Sequence, residues 1–283
     1  MLVSVVIPAL NRSTLLHRAL LSVTEQSAQP LEVLIIDDGS LPHLNPSNYS
    51  QYPNLKFFRN EITEGVASSR NKGIKQAQGE WIALLDSDDE WDSSKLEKQL
   101  ELIKTSGEIR AIHTDEKWIR NGNEVLPPRY LDKSNHLLWE RSLRHCLICP
   151  SSVLLHKSVF KKIGFFDESL TVCEDYDFWL RLLLEEKIEF IEEKLVIKHG
   201  GHPDQLSTTT WGMDRFRIKS LQKLTDNNKL SPQQKTLVIK VITEKCAILA
   251  QGSEKRQKPE EAKIFRELAK KYSDGVSFLS KVL

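Results

Sequence analysis

The stretch Gly79-Glu80-Trp81-Ile82-Ala83-Leu84-Leu85-Asp86-Ser87-Asp88-Asp89 decides the fold. The apolar run Trp81–Leu85 stops abruptly at a cluster of aspartates around a serine. A short, unbroken apolar run bounded by turn-forming residues reads as a strand buried on both faces, as in parallel sheets covered by helices. Working outward, Leu2–Ile7 and Leu31–Ile36 repeat the pattern, and the second of them ends in Asp37-Asp38-Gly39-Ser40. Leu55–Arg59 predicts a short third strand, which makes Trp81–Leu85 the fourth. Leu15, Leu16, Ala19, Leu20 and Val23 form the apolar face of a helix that Asn11 or Ser13 can cap. Gly65–Gln78 has helical spacing with Gly79 as its stop, and Leu41–Asn54 reads as loop. Strands alternating with helices predict βαβ units and an α/β domain, a mostly parallel sheet flanked by helices.

In open α/β sheets, ligands bind beyond the carboxyl ends of the strands. Both acidic clusters, Asp37-Asp38 and Asp86–Asp89, fall at such ends. One cluster alone reads as a turn or a helix cap, whereas two at equivalent ends point to a site. Asp86-x-Asp88 suits a divalent cation carried on a diphosphate. Mg²⁺ and Mn²⁺ take hard oxygen ligands, usually one or two carboxylates with phosphates completing the shell.

Farther along, Arg110–Trp118 and Ser152–His156 predict strands, and Lys157–Ile163 a short helix closed by Gly164. Glu174-Asp175-Tyr176-Asp177 opens a helix whose acidic first turn suits the macrodipole, with Phe178, Trp179 and Leu182 packing inward. From Trp211 onward the pattern is helical, and Ser231-Pro232-Gln233-Gln234 is a well-formed helix start. The chain thus divides into an α/β domain, residues 1–211, and a helical extension, residues 212–283. Met1–Ile7, broken by Pro8, is too short for a signal peptide or a membrane span. Cys146-Leu-Ile-Cys149 has the spacing of a zinc or redox motif, but no second ligand pair stands nearby and the motif leads into a strand. The cysteines read as buried or half-buried thiols of a reducing cytoplasm.

The ordered motifs resemble those of the family-2 glycosyltransferases. Val3-Ser4-Val5-Val6-Ile7-Pro8 with Asn11 is similar to the family's opening strand and loop, and Val33–Ser40 to its second strand. Gly65-Val66-Ala67-Ser68-Ser69-Arg70-Asn71-Lys72-Gly73 is similar to its helix start, followed by the Gly-Glu-aromatic strand and the D-x-D. Gly164-Phe165-Phe166-Asp167-Glu168 then precedes Glu174-Asp175, as the family's Glu-Asp motif should be preceded. The resemblance ends near residue 211.

The resemblance implies a GT-A (Rossmann-like) fold with a mixed, mostly parallel sheet, and an inverting, metal-dependent transfer of sugar from a nucleotide-diphosphate donor, a UDP-sugar above all, to a carbohydrate or lipid-linked acceptor. The setting it implies is cell-surface polysaccharide or glycoconjugate synthesis. Asp38 would bind the nucleotide base, with Pro8 and Ala9 lining that pocket through backbone. Arg70 would contact base or diphosphate, and Asp86, with Ser87 beside it, the ribose or sugar. Asp88 would bind Mn²⁺ or Mg²⁺. Asp175 would be the catalytic base, with Glu174 orienting it or touching the acceptor. His202, five residues before Ser207, fits the spacing of a histidine that meets the metal or diphosphate, and His199 fits it less well. Trp211 either stacks on a sugar or anchors the next helix. A sugar-nucleotide nucleotidyltransferase would need a Gly-rich loop with Arg and Lys after the first strand, which Pro8-Ala9-Leu10-Asn11-Arg12 lacks. An inactive binding module should have lost one of Asp88, Asp175 and His202.

The whole chain carries 40 Lys+Arg against 39 Asp+Glu, a net charge of +1, which excludes a polycationic nucleic-acid binder. The balance hides an asymmetry. Residues 1–211 hold 24 basic and 31 acidic residues, a net of −7, while residues 212–283 hold 16 and 8, a net of +8. The basic helices read either as solvated faces or as a peripheral contact with an anionic inner membrane surface presenting a lipid-linked acceptor.

Overall fold

The computed structural model describes residues 1–134, 136–201, 205, 209–226 and 229–279. Its strands are β1 (Val3–Ala9), β2 (Glu32–Asp37), β3 (Leu55–Arg59), β4 (Trp81–Leu84), β5 (Glu90–Trp91), β6 (Ala111–Arg120), β7 (Asn123–Val125), β8 (Leu154–His156) and β9 (Ile188–Gly200). They form one sheet in the order β3-β2-β1-β4-β8-β6-β9-β5, with β7 paired to β6. β3, β2, β1 and β4 run parallel, as the buried runs predict. Beyond β4 the sheet is mixed, because β8 enters antiparallel to both β4 and β6 while β9 runs parallel to β6.

Every residue of β1, β2 and β4 is buried. Side chains alternate between the two faces of a strand. Val5, Ile7, Val33 and Ile35 therefore meet α1 (Ser13–Thr24) and α3 (Lys95–Ser106) through Leu16, Leu20 and Leu96. Val6, Leu34, Ile36 and Leu84 form the opposite face. There they meet α2 (Val66–Gln76) through Ile74 and, across the same cluster, Phe160 of α5 (Lys157–Ile163) and Phe178 of α6 (Glu174–Glu185). The short α4 (Leu138–Ser142) packs beside α6.

Two local details bear on the site. The N-cap of α1 is Arg12, and no side chain caps the helix. Asn11 is used elsewhere: at φ +54° its Oδ1 accepts from Leu41 N–H (2.8 Å), which ties the loop after β1 to the loop after β2. Gly73 lets α2 lie directly on β1, since a Cβ there would stand 2.3 Å from Val6 Cγ1. Gly73→Ala is expected to destabilise the fold by about 1–3 kcal/mol through overpacking, read as a lower urea midpoint with unchanged slope.

The C-terminal helices are α7 (Asp214–Thr225), α8 (Pro232–Lys255) and α9 (Pro259–Leu279). The expected start of α8 forms a full capping box between Ser231 and Gln234. Leu221, Val238 and Ile242 share a core cluster with Tyr176 and Leu180, so these helices pack directly on α6. Among the described residues no helix is long and apolar enough to cross a membrane.

Candidate active site

Three loops converge at the carboxyl ends of β1, β2 and β4. Pro8 and Ala9 close β1, paired with Ile36 and Asp37 of β2. Asn11 N–H donates to Ser40 Oγ (2.9 Å), which locks the first two loops together. The Asp38 carboxylate, only 4% exposed, accepts from Asn60 Nδ2 (2.7 Å), Glu64 N–H (3.0 Å) and Gly65 N–H (2.9 Å). It thereby fixes the start of α2, where Gly65 sits at φ +97°. With three acceptor directions used, about one remains to face a base. Sequence reasoning assigned this carboxylate a ligand and overlooked its anchoring task.

Arg70 is the joint of the site. It projects from α2, is 3% exposed, and reaches two carboxylates from different elements. Its Nη1 donates to Glu174 Oε1 (2.5 Å) at the start of α6, and its Nη2 to Asp86 Oδ1 (2.7 Å) after β4. Phe166 supports the guanidinium at 5.5 Å from its ring centroid. The D-x-D and Glu-Asp motifs, 88 positions apart in sequence at Asp86 and Glu174, are thus held by one side chain.

The rest of the acidic cluster is divided among distinct partners. Asp88 pairs with Arg12 Nη1 (2.5 Å), and its backbone carbonyl accepts from Arg18 Nη2 (2.5 Å). Ser87 is buried between Asp86 and Asp88. Asp89, 3% exposed, accepts from Ser151 Oγ (2.6 Å) and from His199 N–H (3.2 Å). Burial, then the charges of Asp88 and Asp86, push the Asp89 carboxyl well up from its ordinary range. The His199 ring bonds Glu90, and burial together with Arg18 lowers its pKa. His199 therefore braces β5 against β9 through Glu90. His202 and Ser207 lie outside the described residues.

Asp175 is half-buried beside Glu174. Its Oδ1 accepts from Tyr176 N–H (2.7 Å) and its Oδ2 from the Cys146 thiol (3.3 Å). Burial and the neighbouring Asp175 charge raise the Cys146 pKa, which keeps that thiol a donor. The other thiol of the C-x-x-C, Cys149, is buried near Asp89, and all four cysteines are free. Cys173, the N-cap of α6, adopts φ +62°, a conformation rare for a residue with a Cβ. Such strain persists where surrounding structure imposes it, here directly ahead of Glu174-Asp175.

Burial and the Asp175 charge push the Glu174 carboxyl up to about 7, against the opposing pull of Arg70. Below that pH Glu174 is neutral and above it Glu174 is charged. Any activity that depends on the charged Glu174 is therefore expected to fall as pH drops through about 7, and Glu174→Gln should remove that acid limb. A pH profile of kcat/KM checks this.

Asp86 and Glu174 pair with Arg70, and Asp88 with Arg12. Carboxylate oxygens are the ligand type that Mg²⁺ and Mn²⁺ take, and Asp86 and Asp88 would be the ones to supply them. Among the described residues no group of three or more His, Cys, Asp or Glu is arranged to hold a metal by itself.

Residues 4–164 match the family model described as Glycosyl transferase family 2. The chain belongs to that family. A glycosyltransferase of Rickettsia typhi named as uncharacterized is 29% identical over 213 residues, covering 74% of this chain and 66% of that protein. The Escherichia coli UDP-Glc:alpha-D-GlcNAc-diphosphoundecaprenol beta-1,3-glucosyltransferase WfgD is 29% identical over 196 residues, covering 67% of this chain and 73% of WfgD. A Haemophilus influenzae glycosyltransferase, also uncharacterized, is 30% identical over 190 residues, with 65% of this chain and 63% of that protein covered. The chain thus spans just under two thirds of the length of the Rickettsia typhi and Haemophilus influenzae relatives. Among solved structures, S. aureus TarS 1-349 in complex with UDP-GlcNAc superposes with a TM-score of 0.66 at 17% identity, covering 97% of this chain and 92% of that one. The family-2 transferase therefore has the GT-A fold, with a helical C-terminal region.

Proposed function

We propose that the family-2 transferase moves a sugar from a nucleotide-diphosphate donor of the UDP-sugar class to an acceptor hydroxyl, with inversion and with Mn²⁺ or Mg²⁺. The observation that carries this reading is the Arg70 bridge, which sets the donor-side Asp86 and the acceptor-side Glu174-Asp175 around one buried charge. Asp175 takes the proton of the acceptor hydroxyl as its oxygen attacks the anomeric carbon, so no covalent nucleophile is needed. Glu174 orients that base through Arg70 and by its own charge. Pro8, Ala9 and Asp38 face the nucleoside, with Arg70 and Ser87 toward the diphosphate and sugar. Asp88, with Asp86 beside it, would hold the metal, and His202 is a further candidate ligand. When bound, the metal supplies Lewis-acid neutralisation of charge on the leaving diphosphate.

A lipid-linked acceptor in polysaccharide or glycoconjugate synthesis is supported by the name of WfgD, whose acceptor is a diphosphoundecaprenol. Such an acceptor places the enzyme in the cytoplasm, peripheral at the inner membrane face, with its basic C-terminal helices toward anionic lipid. Titration calorimetry with UDP tests the donor side. UDP should bind in Mn²⁺ and weaken by about tenfold or more in EDTA or in Asp88→Ala, as expected when a metal bridge to phosphate is lost. Equal UDP affinity in all three samples would contradict the assignment of Asp88.

A further inference from the structure

A cavity of about 280 Å³ opens between the segment leading into α7 and the end of α8. Trp211 and Met213 form one wall, Leu249, Gly252 and Arg256 the other, and Arg217 lies between them. Three cations surround Trp211, of which Arg256 lines the cavity itself. The guanidiniums of Arg215 and Arg256 stand 4.3 and 4.6 Å from its ring centroid and the Lys258 ammonium 5.5 Å. None of the three pairs with a carboxylate among the described residues, and Arg215 Nη2 donates to the Trp211 carbonyl (2.7 Å). Asp214, the acid of the cavity wall, is already taken by Lys245 (2.9 Å) and Arg217 Nη1 (2.9 Å). Among the described residues Arg217 Nε is buried without an acceptor. Two glycines leave room for the arginines. A Cβ would stand 3.1 Å from Arg215 Nε at Gly212, and 3.2 Å from Arg256 Nη1 at Gly252.

The cavity adjoins the start of α6. Cys173 Sγ lies 3.8 Å from the Met213 carbonyl, and the Arg217 guanidinium 5.9 Å from the Tyr176 ring centroid. Cys173 and Tyr176 flank Glu174-Asp175 in the chain.

We propose that this cavity binds a phosphate or diphosphate on the acceptor, next to the place where the acceptor hydroxyl meets Asp175. Guanidinium forks bind phosphate oxygens two at a time, and an aromatic ring holds the forks in place. A neutral glycan offers such cations no opposite charge, whereas a sugar carrying its own phosphate satisfies both neighbouring sites. The inference rests on the reading of Asp175 as the acceptor-side base.

The test is titration of inorganic pyrophosphate into the full chain with UDP and Mn²⁺ saturating the donor site. The wild type should bind pyrophosphate. Arg256→Gln/Lys258→Gln, which changes two exposed side chains, should bind it about tenfold or more weakly with UDP affinity unchanged. Equal pyrophosphate affinity in the two proteins overturns the proposal. Sedimentation with phosphatidylcholine vesicles, with and without phosphatidylglycerol, separates the other phosphate source. Vesicle binding that depends on Arg256 and Lys258 in a protein that ignores soluble pyrophosphate assigns the cluster to a membrane headgroup and also overturns it. UDP affinity, read beforehand on the same protein, reports separately on the donor reading.

Discussion

Asp175→Asn is expected to bind UDP-sugar as the wild type does and to lose sugar transfer by about 10²–10⁴-fold, the usual contribution of a general base. The substitution keeps size and shape. The amide oxygen of the substituted side chain can still accept from Tyr176 N–H, so the first turn of α6 keeps its 2.7 Å contact. What disappears is the ability to take a proton. The change also removes one of the two causes that raise the Glu174 pKa, the Asp175 charge. Glu174 should then titrate lower, and any residual activity should show its acid limb below about 7. Donor binding by calorimetry and transfer by UDP release are read on one sample. Wild-type transfer in Asp175→Asn would remove Asp175 from the role of base.

Arg70→Met is expected to cost about 3–5 kcal/mol of stability, the range for removing one partner of a buried ion pair. The guanidinium is 3% exposed and Glu174 is 5% exposed, so water cannot replace the lost charge. Asp86 and Glu174 would be left facing each other across an apolar side chain. Arg70→Lys should restore only part of the loss. A single ammonium on a flexible stem does not offer the two divergent N–H groups that now reach Glu174 and Asp86. Urea denaturation measures both variants. An Arg70→Met protein with wild-type midpoint would show that Arg70 is not the joint between the motifs.

The parts of this architecture that could be read in the sequence are those with a strong local signature. β1, β2 and β4 announce themselves because strands buried on both faces need unbroken apolar runs. The acidic strand ends and the Glu174-Asp175 helix start are visible for the same reason: their polarity breaks such a run or opens a helix. The charge partners were not legible. Arg12 looks like one more polar loop residue until the fold brings it to Asp88, 76 positions away. Cys146 reads as a fragment of a metal motif, yet its thiol faces Asp175. Glu116 and Lys133 form a buried ion pair (2.5 Å) behind the site that no spacing could have revealed. Burial and the charges of Lys198 and Lys133 act on that carboxylate, and the net effect holds it down at about 2. Lys198 lies on β9. The antiparallel direction of β8 was equally hidden, because the strand is three residues long and carries no alternation.

The central claim is that the Arg70-joined site breaks a nucleotide sugar between the sugar carbon and the diphosphate. The most direct measurement is the product released when the full chain, with Mn²⁺, meets a panel of UDP-sugars and, in parallel, UTP with sugar 1-phosphates. UDP should appear from one of the UDP-sugars, and no pyrophosphate from UTP. Pyrophosphate from UTP, with no UDP from any sugar nucleotide, would contradict it and assign the site to nucleotidyl transfer.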